Sequence, residues 1–559
     1  MTEVLTEVSG VSGVSEVSEV SGVSEVSNRE TNKVNKANQK LSRRSFLNCA
    51  VALGAVATAG GMLTGCNDDR DNRVWDYETD VIVVGAGFAG LAAAHEAAKA
   101  GASVALIDKA PEGKQGGNSR VCLQAIWSPR QSEEAIAIKY FKEITGEYHM
   151  KDIDDDIVAA YIKGVGENEA WFLDEFGFRS QRSTSNEYPK APSATALVQA
   201  MIYHAEGLGV SRIWNGIYDV VSKTATIDIQ LETALTDLIV SNTGEVIGIE
   251  ASKSDNIVSM KAKKGVVLCC GGFEFNEVMK SNYNRYPSYS WGTPYNTGDA
   301  IIACLKHDIA MWHMNSATAA TRLGLNAGFL KDEWEGCSID FESTGGIWLD
   351  KHGARFMDET REAQHGYGRN AIFFNDSSEM EWPRVPFWQV LDSASIRSVG
   401  ASASVCGWLG IIEGLVAPSM TAELTEKGVL LSANTIESLA SQMKLDASVV
   451  KNEIEAFNEN VALGTSDQFG RKPTRALVPP YYAAQLYPVM VNTNGGPKRN
   501  AKAEVLKNDG TPMPRLYSAG ELGSIWAWYY QGAGNTSECL AFGRIAGRNV
   551  GVLSSWDAK

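Results

Sequence analysis

The run Val81-Ile82-Val83-Val84 is apolar at every position, the pattern of a strand buried on both faces in a parallel sheet. Gly85 ends it, and residues 89–100 are rich in Ala and Leu, so strand, tight turn and helix are expected in succession. A second strand is expected at 103–107, closing at Asp108, and a third at 265–270, running straight into Gly271 and Gly272. Near residue 312 the rhythm changes to longer, Trp-rich segments. In "NTIESLASQM" a helix is expected with Asn434 as N-cap and Glu437 three positions later. The stretch 464–483 reads as a return toward the first fold, whose strand-and-glycine pattern resumes at Leu516. Residues 7–27 cycle through Val-Ser-Gly and Val-Ser-Glu, too poor in bulky apolar groups to offset the entropy of ordering, and read as disordered.

The glycines carry the first chemistry. Gly85-x-Gly87-x-x-Gly90 lies between the first strand and its helix: Gly85 permits the turn, Gly87 lets backbone approach a pyrophosphate, and Gly90 lets helix and strand pack closely. Ala89 begins a helix whose N-terminal N–H groups and positive dipole end face that phosphate. Asp108, followed by Lys109, stands where an acid accepts ribose hydroxyls. Gly116-Gly117-Asn118-Ser119 forms a second glycine turn, Gly271-Gly272 a third, and residues 528–549, "WYYQGAGNTSECLAFGRIAGRN", a fourth. A mobile NAD needs one such loop, whereas a long, permanently held FAD is clamped from several, so FAD is the expected cofactor.

Composition narrows the partners. The 559 residues carry a formal net charge of −16 with no basic run, which disfavours nucleic acid. Nine Cys are scattered without a C-x-x-C pair, so no zinc, cluster or covalent haem site is recognisable and no metal is expected. The leader "SRRSFLNCAVALGAVATAGGMLTGC" pairs Arg43 with Arg44 before an apolar stretch too short for a membrane span. It resembles a twin-arginine export signal, and its end, Leu63 to Cys66, resembles a lipoprotein cleavage box in which Cys66 becomes the lipid anchor. Export across the cytoplasmic membrane and anchoring at its outer face are the expectation.

The marks "GAGFAG", "GGNS", "CCGGFEFN", "TGDAI", "GARFMDE" and "LYSAGELGS" resemble the flavoprotein family of soluble fumarate reductases, urocanate reductase and 3-ketosteroid dehydrogenases, from about Thr79 to the C-terminus. The resemblance implies an α/β fold: a Rossmann-like FAD-binding domain in two sequence segments, with an inserted α+β capping domain over the flavin. The expected organisation is a leader at 1–66, a linker at 67–78, FAD-binding segments at 79–315 and 486–559, and the cap at 316–485. Asp299, Glu521, Ser537 and Leu540 join the cofactor-binding set, Glu521 toward the ribityl hydroxyls. Vicinal Cys269 and Cys270, where the family has small residues, read as packing.

Carried onto this chain, the fumarate machinery is mostly missing. Its clamping Arg falls on Tyr530, a His on Asn492, the relay Glu and Arg near Ile339 and Glu342, and the proton-donating Arg on Ala363, two residues from Arg361. Buried carboxylates without partners are costly, so fumarate is not the first choice. Tyr530-Gln531-Gly532-Ala533-Gly534 instead fits the ketosteroid dehydrogenase stretch, in which the Tyr hydroxyl and the last glycine's N–H bind a ketone oxygen as an oxyanion hole. Tyr530 and Gly534 are therefore the expected catalytic pair, with Arg361 the favoured proton donor over His365 and Tyr367. Arg355 and Glu359 read as structural, and His313 as a hydrogen-bonded core residue. The expected activity is reduction of an activated C=C, an α,β-unsaturated carbonyl or enoate, by hydride from flavin N5. Ketosteroid-type dehydrogenation and a fumarate-type reductase are the alternatives, and a non-catalytic flavin-binding lipoprotein the remaining one. Without haem motifs, electrons are expected from a separate cytochrome or membrane-linked flavin protein.

Overall fold

The computed structural model describes residues 73–558, apart from 185–186, 255, 285–286, 321–338, 342–345, 362–369, 400–407, 415–420, 427 and 429. The twin arginines and Cys66 lie outside the described residues.

Strand β1 (Tyr77–Val84) is followed by helix α1 (Phe88–Lys99) and strand β2 (Val104–Ile107), as the hydrophobic pattern predicts. β3 (Ile227–Gln230), the hairpin β4 (Thr233–Val240) and β5 (Val246–Lys253), and the long β6 (Asn256–Leu268) complete the first half of the sheet. β1 runs parallel to both β2 and β6, with Val83 opposite Leu106 on one side and Val267 on the other. Val81 to Val84 are buried on both faces, which is why no polar alternation interrupts them.

The smaller sheet belongs to the middle of the chain. β7 (Ile347–Leu349), β8 (Phe387–Asp392), β9 (Leu430–Ala433) and β10 (Tyr481–Leu486) are antiparallel in the order β7-β8-β10-β9. Helices α2 (Ile436–Met443) and α3 (Ala447–Leu463) bury Leu439, Ile454 and Phe457 in one apolar cluster with β7, β8 and β10. The N-cap of α2 is Thr435, not Asn434: Thr435 has the extended backbone, and its hydroxyl accepts from Ser438 N at 3.1 Å. Beneath this sheet Arg355 donates to Glu359 at 2.8 Å, and Glu359 also accepts from Arg471 at 2.5 Å, a buried ion network holding the turn after β7.

β11 (Glu504–Leu506) and β12 (Pro512–Ser518) return to the large sheet, β12 pairing parallel to β6, and α4 (Gly534–Gly551) closes the chain. α4 lies against α1 along Gly543, Gly547 and Gly551, where an added Cβ would come within 2.5 Å of Ala89 O, 2.3 Å of Ala93 O and 2.8 Å of the Ala100 Cβ. Only hydrogen side chains allow this approach, which sets the start of α1 against the middle of α4, so that the first turns of α4 run on past it. The loop between β12 and α4 is tied down by fully buried Arg499, which donates to Leu522 O, Gly520 O and the Glu538 carboxylate of α4.

Candidate functional site

A cleft opens at the C-terminal ends of β1, β2 and β6. Gly85 N donates to Ile107 O at 2.7 Å, fixing the first glycine between the strands. Its φ of +102° and the 2.6 Å between a would-be Cβ and Cys269 O leave room for glycine alone. Gly87 is the N-cap of α1 and has no side chain to cap it, so the helix N-terminus is presented to the cleft. Gly85, Gly87 and Ala89 line the cleft; Gly90 does not, since an added Cβ would sit 1.8 Å from Gly85 O, and it serves the packing of helix on turn.

Asp108 and Lys109 line the next stretch. The Asp108 carboxylate accepts from Ala86 N and Ala110 N, both at 2.9 Å, and burial pushes its pKa up despite them. Lys109 donates to Asp299 at 2.8 Å, so these two cleft residues neutralise one another. Gly116 and Gly117 adopt positive φ, and the side chains behind them, Asn118 and Ser119, point inward: Ser119 Oγ accepts from Phe88 N at 2.9 Å, and Asn118 Oδ1 from Thr293 N at 2.8 Å. Gly271 lines the cleft, whereas Gly272 packs against Thr493, whose hydroxyl a Cβ would meet at 2.2 Å. Cys269 and Cys270 are free thiols along the same wall, Cys270 pushed up to about 12 by burial.

Behind Asn118 the expected Glu521 is joined by a second carboxyl that the motif reading missed, Glu274. Glu274 Oε1 accepts from Asn118 Nδ2 and Asn296 Nδ2, each at 2.7 Å, while Glu521 Oε1 accepts from the same Asn296 nitrogen at 3.1 Å and from that of Asn118 at 3.4 Å. Burial, then mutual repulsion for Glu521, drives both carboxyls toward the protonated form. The "GGFEFN" motif contains Glu274, but only the fold brings it to Glu521.

At the far end stand Tyr530, Asn535, Thr536, Cys539 and Asn492. Tyr530 packs edge-on against Trp526 at 6.0 Å, Tyr188 Oη donates to its carbonyl at 3.1 Å, and the Asn535 backbone N–H is directed to its phenol oxygen. Burial, with Glu187 nearby, holds the phenol well above its ordinary pKa and keeps it a donor. Gly534 departs from expectation. Its N–H donates to Gln531 O at 2.7 Å and its carbonyl accepts from Tyr161 Oη, so the N–H next to the phenol is that of Asn535.

Ser537 and Leu540 also fall elsewhere. Both are fully buried, and the Ser537 hydroxyl donates to Ala533 O at 2.7 Å. At roughly 100° per residue, residues 535, 536 and 539 share one face of α4 while 537 and 540 turn toward the interior. Arg361 closes a short 3₁₀ turn, Glu359–Arg361, half-buried, and is not among the described residues lining the cleft. Glu342, Ala363, His365 and Tyr367 lie outside the described residues, as does the side chain of Ile339.

The donor set fits a dinucleotide of FAD's kind: three glycine turns and a helix N-terminus for phosphates, Thr233 to Leu235 at one end, and Asn118, Asn296 and Glu521 midway. Among the described residues, buried Glu274 Oε2 and Gln115 Oε1 have no hydrogen-bond partner.

The family model described as "FAD binding domain" matches residues 80–537. Digoxin reductase of Eggerthella lenta is 25% identical, with 92% of this chain and 98% of that protein covered. The 3-oxosteroid 1-dehydrogenase of Mycobacterium tuberculosis is 26% identical over 85% of this chain and 98% of its own length. Among solved structures, the 3-ketosteroid Δ1-dehydrogenase from Sterolibacterium denitrificans in complex with 1,4-androstadiene-3,17-dione superposes with a TM-score of 0.71 at 20% identity, covering 85% of this chain and 99% of the other.

Proposed function

The chain belongs to the FAD binding domain family, and on that footing we propose that this FAD-dependent oxidoreductase reduces the C=C bond of an uncharged α,β-unsaturated carbonyl compound. FAD, when bound, supplies the hydride. Tyr530 supplies the polarisation: its hydroxyl donates to the substrate carbonyl oxygen, where charge grows as hydride reaches the β carbon. The Asn535 N–H directed to the phenol oxygen strengthens that donor, since a hydrogen bond into a hydroxyl polarises the one it gives. Protonation of the α carbon falls to a side chain, with Arg361 and the neighbouring His365 and Tyr367 as candidates.

One observation carries the choice of an uncharged substrate. Among the described residues lining the cleft, Lys109 is the cation, and it is paired with Asp299. The Tyr530 end is amide-lined instead: Asn492 Nδ2 and Asn535 Nδ2 both donate to Asn494 Oδ1 at 3.1 Å, and Asn494 donates to Ser316 Oγ at 3.0 Å. Neutral dipoles suit a ketone or ester oxygen better than a dicarboxylate.

Dehydrogenation of a 3-ketosteroid is the second reading, favoured by the same Tyr530 placement, because a polarised oxygen eases hydride departure as well as arrival. The paired Arg43 and Arg44 and Cys66 support export and lipid anchoring, with electrons delivered by a separate cytochrome or flavin protein. The deciding experiment is a panel of enones, cinnamates, urocanate, fumarate and steroids offered to the purified holoenzyme with reduced viologen, and with an artificial acceptor for the reverse direction. Enone turnover with little on fumarate is expected; fumarate turnover as fast as any enone overturns the reading.

A further inference from the structure

Asn118 and Asn296 hold two carboxyls on the same pair of nitrogens. Each Nδ2 reaches Glu274 Oε1 at 2.7 Å and also Glu521 Oε1, at 3.4 Å from Asn118 and 3.1 Å from Asn296. Two oxygens bonded to one nitrogen at such lengths lie within about 6 Å of each other, where one negative charge opposes a second. Asn118 is fixed in this orientation: its Oδ1 accepts from Thr293 N at 2.8 Å, and a backbone N–H only donates.

Glu274 is fully buried, and among the described residues its Oε2 has no hydrogen-bond partner. An ionised Glu274 therefore keeps part of its charge on an oxygen that no donor meets, so its surroundings favour the neutral acid. Glu521, Asn118 and Asn296 line the cleft that fits FAD, and Glu274 stands behind the two amides. The pair is thus part of the wall beside the cofactor.

The other titratable groups near the pair hold one state around neutral pH. Cys122, Cys539 and Tyr530 face Glu521, and burial pushes all three up, which keeps them protonated. Lys280 bears on Glu274 but is committed to Glu277 Oε1, Ser288 O and Ser290 Oγ. Lys109 and Asp299, further along the cleft, neutralise one another.

We propose that Glu274 and Glu521 are a proton store coupled to the redox state of the bound flavin: the oxidised holoenzyme holds one proton between the two carboxyls, and reduction draws in a second. The balance is two electrons from the external donor and one proton to the flavin, with one further proton from solvent converting the remaining carboxylate to an acid. Reoxidation returns that proton to solvent. The coupling is Coulombic. Two electrons entering with one proton leave a negative charge in the cleft, and charges in a buried wall are little screened. A unit charge about 10 Å away in a protein shifts a proton equilibrium by about 10-fold. For a two-electron couple, a 10-fold change is about 30 mV.

The inference rests on the FAD cleft and on no choice of substrate, and the test uses none. The midpoint potential of the holoenzyme flavin is read from its absorbance during electrochemical titration, from about pH 5 to pH 9. Reduction favours the protonated pair, so the potential falls more steeply as pH rises through the pair's titration. Over the whole range the parent is expected to fall about 30 mV further than Glu274→Gln, the equivalent of that 10-fold shift. The second readout is the reduced-minus-oxidised infrared spectrum: the parent gains the C=O band of a protonated carboxyl, and Glu274→Gln lacks that gain. Parallel potential curves, no carboxyl gain in the parent, or a gain that survives in Glu274→Gln would overturn the proposal. The parent spectrum needs no substitution, so it decides even if the variant does not fold.

Discussion

Asn296 Nδ2 lies 2.7 Å from Glu274 Oε1, and the same nitrogen reaches the neighbouring Glu521 carboxyl at 3.1 Å. One amide therefore serves two buried acids that repel one another when both ionise.

The pair gives a pH signature. Glu274 is raised from its ordinary 4.5, so the folded state holds a proton that the unfolded state releases. Stability from this source is full below the unfolded pKa and is lost as pH rises through the folded value. Glu274→Gln removes that loss, so its thermal midpoint falls less than the parent's from pH 5 to 8. Parallel midpoint curves would show that Glu274 is ionised throughout.

Tyr530→Phe deletes the hydroxyl while keeping the ring against Trp526. We expect kcat/KM for the enone to fall by about 100-fold or more with flavin content unchanged. Turnover within twofold of the parent removes the phenol from the mechanism.

Gly85→Ala forces a side chain onto φ +102° and within 2.6 Å of Cys269 O. A stability loss of about 1–3 kcal/mol and a lower flavin-to-protein absorbance ratio are expected. Full flavin content at parental stability would mean the turn can move.

Glu538→Ala leaves Arg499 buried among carbonyls without its counter-ion. Breaking such a pair costs about 3–5 kcal/mol, read from the denaturant midpoint. Because Arg499 holds the Glu521 loop through Gly520 O and Leu522 O, flavin affinity falls with it.

Cys269 and Cys270 are expected to resist iodoacetamide at pH 7.5 in the native holoenzyme, because burial pushes both thiols up, and to react on denaturation. Native labelling at the full rate would show that the wall of the cleft opens.

The sequence by itself determined the strand, turn and helix from Val81 to Ala100, the acid at 108 and the small-residue turns that follow, because these depend on neighbours a few positions apart. Strand propensity and glycine geometry are local rules, and the hydrophobic run at β1 satisfies them without help. Tertiary structure decided which face of α4 meets the cleft, placing Asn535, Thr536 and Cys539 there and turning Ser537 and Leu540 inside. It decided that Glu274 stands beside Glu521, the two carboxyls sharing the Asn296 amide. Each of these joins groups far apart in the chain or depends on a helix's rotation about its axis, and spacing along a sequence constrains neither until the pieces pack.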